Sequence, residues 1–187
     1  MRKPVFKLLA SLLAMWQASA IGQSVTAPYG ATDISKAELD VLAALSPGDH
    51  QAKVVDIGKL NVAIGVIHRV ATNDKPGDPV RGIYHDNTTE VYYILSGSGM
   101  LTTGGTTVEP KRSAADSDIV KVLNGPSGNG INQGGYTRKL GPGDMVVIPP
   151  GVFHGWSQIT DHVTYLSVRP DPDRVLPAGY VNPALKK

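Results

Sequence analysis

Two stretches of the chain carry side chains able to hold a metal ion, residues 82–101 and 141–158. In the first, His85 and Glu90 stand on either side of a tight Asp86-Asn87-Thr88-Thr89 connection, and Glu90 opens the apolar run Val91 to Leu95. In the second, His154 follows a Pro149-Pro150-Gly151 turn. Two imidazoles and a carboxylate are borderline donors that suit divalent iron, zinc, manganese, nickel or cobalt, and they leave coordination positions free for water, oxygen or substrate. Each residue also has a plainer reading. His154 could be a core histidine bonded to a carbonyl, Glu90 a solubilising residue on an edge strand, and His85 an exposed loop residue. Neither stretch is a site alone; together they suggest a barrel that buries a metal.

The two-residue period of a strand puts Tyr92 and Ile94 on the face of Glu90, and Trp156 and Gln158 on the face of His154. An ion would then lie beneath an aromatic-lined opening, with Tyr92 as candidate proton donor and Gln158 as candidate orienting group. His68 closes a neighbouring strand-like segment and is a candidate fourth ligand. Arg69 and Arg81 flank the first stretch, and either could grip an anionic group through a two-pronged guanidinium contact. His50 and His162 lie in turn-like contexts that suit surface residues, and Asn87-Thr88-Thr89, a glycosylation pattern, is better read as turn chemistry. The chain has no phosphate loop on a strand–helix unit, no dinucleotide fingerprint and no Gly-x-Ser-x-Gly elbow.

These residues need strands to position them. Twenty-one glycines and 14 prolines in 187 residues, lying mostly between short apolar runs, favour a turn-rich all-β domain. Ser35 and Glu38 have capping-box spacing and open a short helix over about 35–45, stopped at Ser46-Pro47-Gly48. Residues 54–70 read as one or two strands, with Val62, Ile64, Val66 and His68 on one face and Ala63, Ile67 and Arg69 on the other. Glu90–Leu95 is the clearest strand, and Met100–Thr103 is its hairpin partner. Between 109 and 140 the pattern weakens: 119–123 could form a strand, 125–130 is glycine-rich and flexible, and Gly134-Gly135 is a turn. Residues 145–148, 153–158 and 163–168 are the closing strands, and the proline-rich tail packs along the domain or onto a partner.

The basic lead of Arg2, Lys3 and Lys7, the apolar run 8–16 and Ala18-Ser19-Ala20 together form a signal peptide with cleavage after Ala20. The expected organisation is a signal over 1–20, an extension with the helix over 21–51, the barrel over 52–168 and a tail over 169–187. The whole chain carries 18 basic and 16 acidic residues. Its three leading basic residues belong to the signal, so the mature protein is close to neutral and lacks the clustered basic footprint of a nucleic-acid binder. Without cysteine, an exported protein must rely on its core, a metal or oligomer contacts. The expected setting is periplasmic or secreted, with no stable membrane insertion after cleavage and a homodimer as the candidate assembly.

The spacing of Gly143, Pro149, Gly151 and His154, with Gln158 in a place usually held by asparagine, resembles the second motif of the cupin superfamily. Gly77, His85, Glu90 and Gly97 resemble its first motif, with Ile83 where a histidine would stand. The resemblance implies a small antiparallel β-barrel of the double-stranded β-helix, jelly-roll-like type. It implies His85, Glu90 and His154 as ligands of a divalent ion. Cupins include oxygenases, isomerases, lyases and proteins that only bind, so the resemblance leaves the reaction open. The expectation is a metal-dependent enzyme acting on a small polar or anionic molecule, with a non-catalytic sugar- or acid-binding protein as the alternative.

Overall fold

The computed structural model describes residues 30–186. The expected signal peptide, residues 1–20, lies outside the described residues. A short helix, α1 (Lys36–Ala43), precedes eleven strands: β1 (Gly48–Asp56), β2 (Asn61–Val70), β3 (Arg81–His85), β4 (Glu90–Gly97), β5 (Gly99–Thr103), β6 (Thr106–Arg112), β7 (Ser127–Gln133), β8 (Tyr136–Leu140), β9 (Met145–Ile148), β10 (His154–Ser157) and β11 (His162–Asp171). They form two antiparallel sheets, one ordered β1-β2-β11-β4-β9 and the other β6-β7-β3-β10-β5-β8.

Alternation along the strands decides which side chains lie between the sheets. In β4, Glu90, Tyr92 and Ile94 are buried while Tyr93 and Leu95 are exposed. In β9, Val146 and Ile148 are buried while Met145 and Val147 face outward. The main core joins Ile67, Tyr92, Ile94, Val163 and Tyr165 of the first sheet to Leu101 and Leu140 of the second. Gly97 turns β4 into β5 with a φ of 70°, and a Cβ there would stand 1.9 Å from the His162 carbonyl oxygen. Only glycine accommodates both that backbone and that approach.

The helix forms where the capping box placed it. Ser35 accepts from the Glu38 amide at 3.2 Å, and the Glu38 carboxylate accepts from the Ser35 amide at 2.8 Å. Leu42 packs with Ala52 and Val66 on the outer face of β1 and β2, a burial that stabilises the contact by about 2 kcal/mol. The tail lies along the free edge of β1: the Val54 amide donates to the Tyr180 carbonyl, the Asn182 amide donates to the Ala52 carbonyl, and Leu176 is buried. An edge that would otherwise present unpaired backbone groups is thereby covered.

Three local readings are corrected by the structure. Ile119–Leu123 is a π-helical turn rather than a strand; five apolar-rich residues do not by themselves distinguish the two. Ser127–Gln133, which overlaps the expected flexible segment 125–130, is β7, paired with β3 on one side and β6 on the other. Its glycines are required by neighbours: a Cβ on Gly128 would meet the Tyr84 hydroxyl at 2.3 Å, and one on Gly130 would meet Thr107 at 2.5 Å. The strands also overrun the expected domain limits, since β1 begins at Gly48 and β11 continues to Asp171.

Candidate metal centre

His85 ends β3, and His154 opens the adjacent β10, where it lies opposite Ile83. Glu90 reaches the same point from β4 in the facing sheet. The Gly151 amide donates to the His85 carbonyl at 2.7 Å, so the turn before His154 clasps the backbone of His85. The three side chains are 1–3% exposed, and one ligand atom from each lies within 4.8 Å of the others.

The hydrogen bonds around the imidazoles determine which nitrogens face one another. Ser127 Oγ donates to the Gly125 carbonyl at 2.7 Å, and His85 Nδ1 lies 2.8 Å from the same Oγ. The hydroxyl proton is already engaged, so His85 Nδ1 must be the donor to Ser127. His154 Nδ1 lies 3.0 Å from the Val152 carbonyl, which can only accept, so it too carries its proton on Nδ1. In their neutral form both rings therefore turn a bare Nε2 lone pair toward Glu90 Oε2, at 3.3 Å for His85 and 3.0 Å for His154. His154 Nε2 is buried without a hydrogen-bond partner; it is close to the carboxylate but not aligned for a hydrogen bond. Electron-rich atoms gathered in this way need a cation among them. Their separations match the roughly 3 Å between neighbouring donors that each lie about 2.1 Å from one ion. The donor set fits a divalent metal.

Glu90 is also held from its other side. Its Oε1 accepts from Ser167 Oγ at 2.7 Å and from Arg169 Nε at 3.0 Å, and its Oε2 accepts from the Tyr92 hydroxyl at 2.8 Å. Arg169 is completely buried and also contacts Asp49, Gln51 Oε1 and the Leu123 carbonyl. Burial pushes the Glu90 carboxyl toward a high pKa, but the Arg169 guanidinium beside it outweighs that and holds the group well below the usual carboxylate range. Burial depresses His85 by more than Glu90 raises it, leaving the ring neutral. Burial and the Glu90 charge push Tyr92 well above the ordinary phenol value, so its proton stays in place. One carboxylate oxygen is thus engaged by arginine and serine, and the other faces the imidazoles.

The remaining candidates lie elsewhere. His68 shares the outer face of β2 with Val66; it contacts Thr164 Oγ1 at 2.8 Å through Nδ1 and stacks on His162 at 5.7 Å. It is not brought to the cluster, because the alternation that turns Ile67 into the core turns His68 away from it. Gln158 is likewise not delivered by the strand period. β10 ends at Ser157, Gln158 adopts a φ of 50°, and it is Ile159 that enters the core. Tyr92 lies where the period placed it, buried beside Glu90. Arg81 is exposed, whereas Arg69 is half-buried and donates to the Tyr165 hydroxyl at 2.9 Å. The sequence reading missed Arg169, which stood one residue beyond the expected end of the barrel. Its even spacing from Val163, Tyr165 and Ser167 was the available signal.

Two facing antiparallel sheets that bury a His/His/Glu centre define a metal-binding class of β protein. The family profile described as Cupin matches residues 62–183, and the chain belongs to the cupin family. No curated protein matches it. Among solved structures it is similar to an uncharacterised protein with a double-stranded β-helix domain from Klebsiella pneumoniae, at 16% identity, 77% of this chain, 93% of that chain and a TM-score of 0.44. A Bacillus halodurans protein matches at 12% identity, over 80% of this chain and 87% of that one, with a TM-score of 0.44. A Thermus thermophilus protein matches at 17%, over 75% and 98%, with a TM-score of 0.44.

Proposed function

We propose that this cupin is a metal-dependent enzyme acting on a small polar or anionic molecule, by oxygenase, isomerase or lyase chemistry, in a site around which the two sheets close as a small barrel. The observation that carries this reading is the pair of Nε2 lone pairs directed at Glu90 Oε2. His85, Glu90 and His154 would hold the ion, with water or substrate completing its shell. A divalent ion there supplies Lewis acidity toward a bound oxygen atom. Tyr92, whose hydroxyl donates to Glu90, would be the proton donor to a substrate. The test is metal analysis after reconstitution with iron, manganese, zinc, nickel and cobalt, followed by turnover assays on keto-acids, diols and sugars. One ion should bind per chain and support turnover. A protein that stays metal-free under all five conditions defeats the reading.

Arg169 favours a second reading. It holds Glu90 and Asp49 together in one ion-paired group, so Glu90 has a structural partner that does not depend on catalysis, and a cupin that only binds a sugar or organic acid fits as well. Ligand binding with no turnover under any metal selects that alternative.

We also propose that the chain is exported, with a mature N-terminus at Ile21, and that it assembles as a homodimer. Intact mass of protein recovered from the periplasm or medium, and sedimentation at micromolar concentration, test the two statements. A full-length cytosolic chain overturns the first, and a monomer overturns the second.

A further inference from the structure

The inward face of the second sheet has unlike surroundings on the two sides of His154. Residues directly opposite one another on paired strands share a face, and His154 stands opposite Ile83 of β3 on one side and Thr103 of β5 on the other. Thr103 in turn stands opposite Tyr136, the first residue of β8. Ile83, His154, Thr103 and Tyr136 therefore form one row across four neighbouring strands. Glu90 and Ile148 are paired in the facing sheet. His154 is buried, but Ile83 and Thr103 are half-buried and Tyr136 is 68% exposed, so the row opens toward water on both sides of the metal centre.

The two sides differ in chemistry. Ile83 presents an aliphatic side chain. On the other side Arg138 stands opposite the core residue Leu101 and so shares this face. It donates from Nη1 to Thr103 Oγ1 at 2.9 Å, and its guanidinium carbon lies 5.4 Å from the centre of the Tyr136 ring. Directly opposite residues such as Thr103 and His154 have Cβ atoms about 5 Å apart, so the bond to Thr103 turns the guanidinium along the row toward the metal-binding residues. That hydroxyl takes one of its five N–H donors. Among the described residues no carboxylate pairs with Arg138, and Glu90 takes its guanidinium from Arg169 instead. Arg138 is half-buried, so its remaining donors stay within reach of a solute. An arginine steadied by a hydroxyl and an aromatic ring, with no ion-pair partner, has its fork ready for a carboxylate. Arg81, the other arginine on the strands of this row, is exposed at the start of β3, and among the described residues its side chain makes no hydrogen bond.

We propose that Arg138 determines the specificity of the metal centre, and that its substrate is a short oxo or hydroxy acid lying along this row. The aliphatic end of the acid rests against Ile83, its oxygen reaches the ion, and its carboxylate is held by Arg138. This deepens the proposed function by naming a substrate class and its orientation, and it rests on the reading of His85, Glu90 and His154 as metal ligands.

Calorimetric titration of the full-length, zinc-loaded chain with 4-oxopentanoate and with its amide, 4-oxopentanamide, tests it. The acid should bind about ten-fold more tightly than the amide, which lacks the charge. Arg138→Met should abolish that preference, weakening the acid about ten-fold with zinc content unchanged, and Arg138→Lys, which keeps the charge without the fork, should recover part of the loss. Ile83→Ala should weaken acid and amide alike, because both bring the same methyl end. Arg81→Met should leave the preference intact. Equal binding of acid and amide by the wild type, full acid binding by Arg138→Met, a preference lost in Arg81→Met instead, or no binding of either compound overturns the proposal. Zinc uptake separates the proposal from the reading it rests on. If zinc binds and the acid ignores Arg138, the anchor falls and the metal centre stands. If a chain that takes up no zinc binds the acid through Arg138, the metal centre falls and the anchor stands.

Discussion

His154 and His68 make opposite predictions from the same residue type. His154 Nε2 is buried and unpartnered beside a carboxylate, whereas His68 is satisfied by Thr164 and stacked on His162. His154→Ala should lower metal affinity by at least about 100-fold, the upper end of what loss of a merely supporting partner costs. His68→Ala should leave metal content at the wild-type level, measured by metal analysis of both purified variants. Arg169 belongs to the same scale. Arg169→Met leaves the Glu90 charge buried without its guanidinium and should cost about 3–5 kcal/mol of stability in urea unfolding. Added metal should restore part of that loss in the variant, because a second cation can then take the carboxylate. Wild-type stability in Arg169→Met would show that the pair contributes nothing.

At the scale of elements, the strand least visible in the sequence orients a metal ligand. β7 is largely glycine and polar residues, yet its first residue, Ser127, fixes His85 with the proton on Nδ1. Ser127→Ala removes that acceptor and frees the ring to flip or change tautomer. Metal affinity should fall about 10–100-fold, with thermal stability of the metal-free protein changed far less; calorimetric titration with the metal alone checks it. The two sheets contribute unequally to the centre: β3 and β10 bring neighbouring histidines, and β4 brings the acid across the core. The clasp between Gly151 and His85 joins the two sequence motifs through the backbone, independently of any ion.

For the whole molecule, burial makes acid the main threat. His85 is depressed by burial, so the unfolded chain takes its proton first as pH falls below about 6.5, the ordinary histidine value. Glu90 is held well below the ordinary carboxylate value, so protonation again favours the unfolded chain below about 4.3. Both groups bind more protons unfolded than folded, so stability rises with pH through both windows. The metal-free protein should be most stable above neutrality, lose stability in a first step below about pH 6.5 and in a second, steeper step below about pH 4.3. Denaturant midpoints measured from pH 8 to about pH 2 check this, and a flat profile would contradict it. Metal uptake should fall over the same range, since protons compete for the same nitrogens and oxygen.

Local pattern determined what depends on neighbours in the chain. The capping box fixed the start of α1, alternation fixed the faces of Glu90, Tyr92 and Ile94, and the glycine, proline and histidine spacing marked two turns that each present a ligand. The same alternation, applied to β2, held the answer for His68, but which face was inward became known only once α1 packed on the other. Only the tertiary structure decided the rest. Gln158 leaves the strand period because the backbone turns after Ser157. The run 127–133 is a strand because Tyr84 and Thr107 fill the space above its glycines. Arg169 becomes the counter-ion of Glu90 because β11 runs antiparallel beside β4, bringing residues 79 apart in sequence to 3.0 Å. Contacts of that separation depend on register between strands, and no periodicity within one strand encodes them.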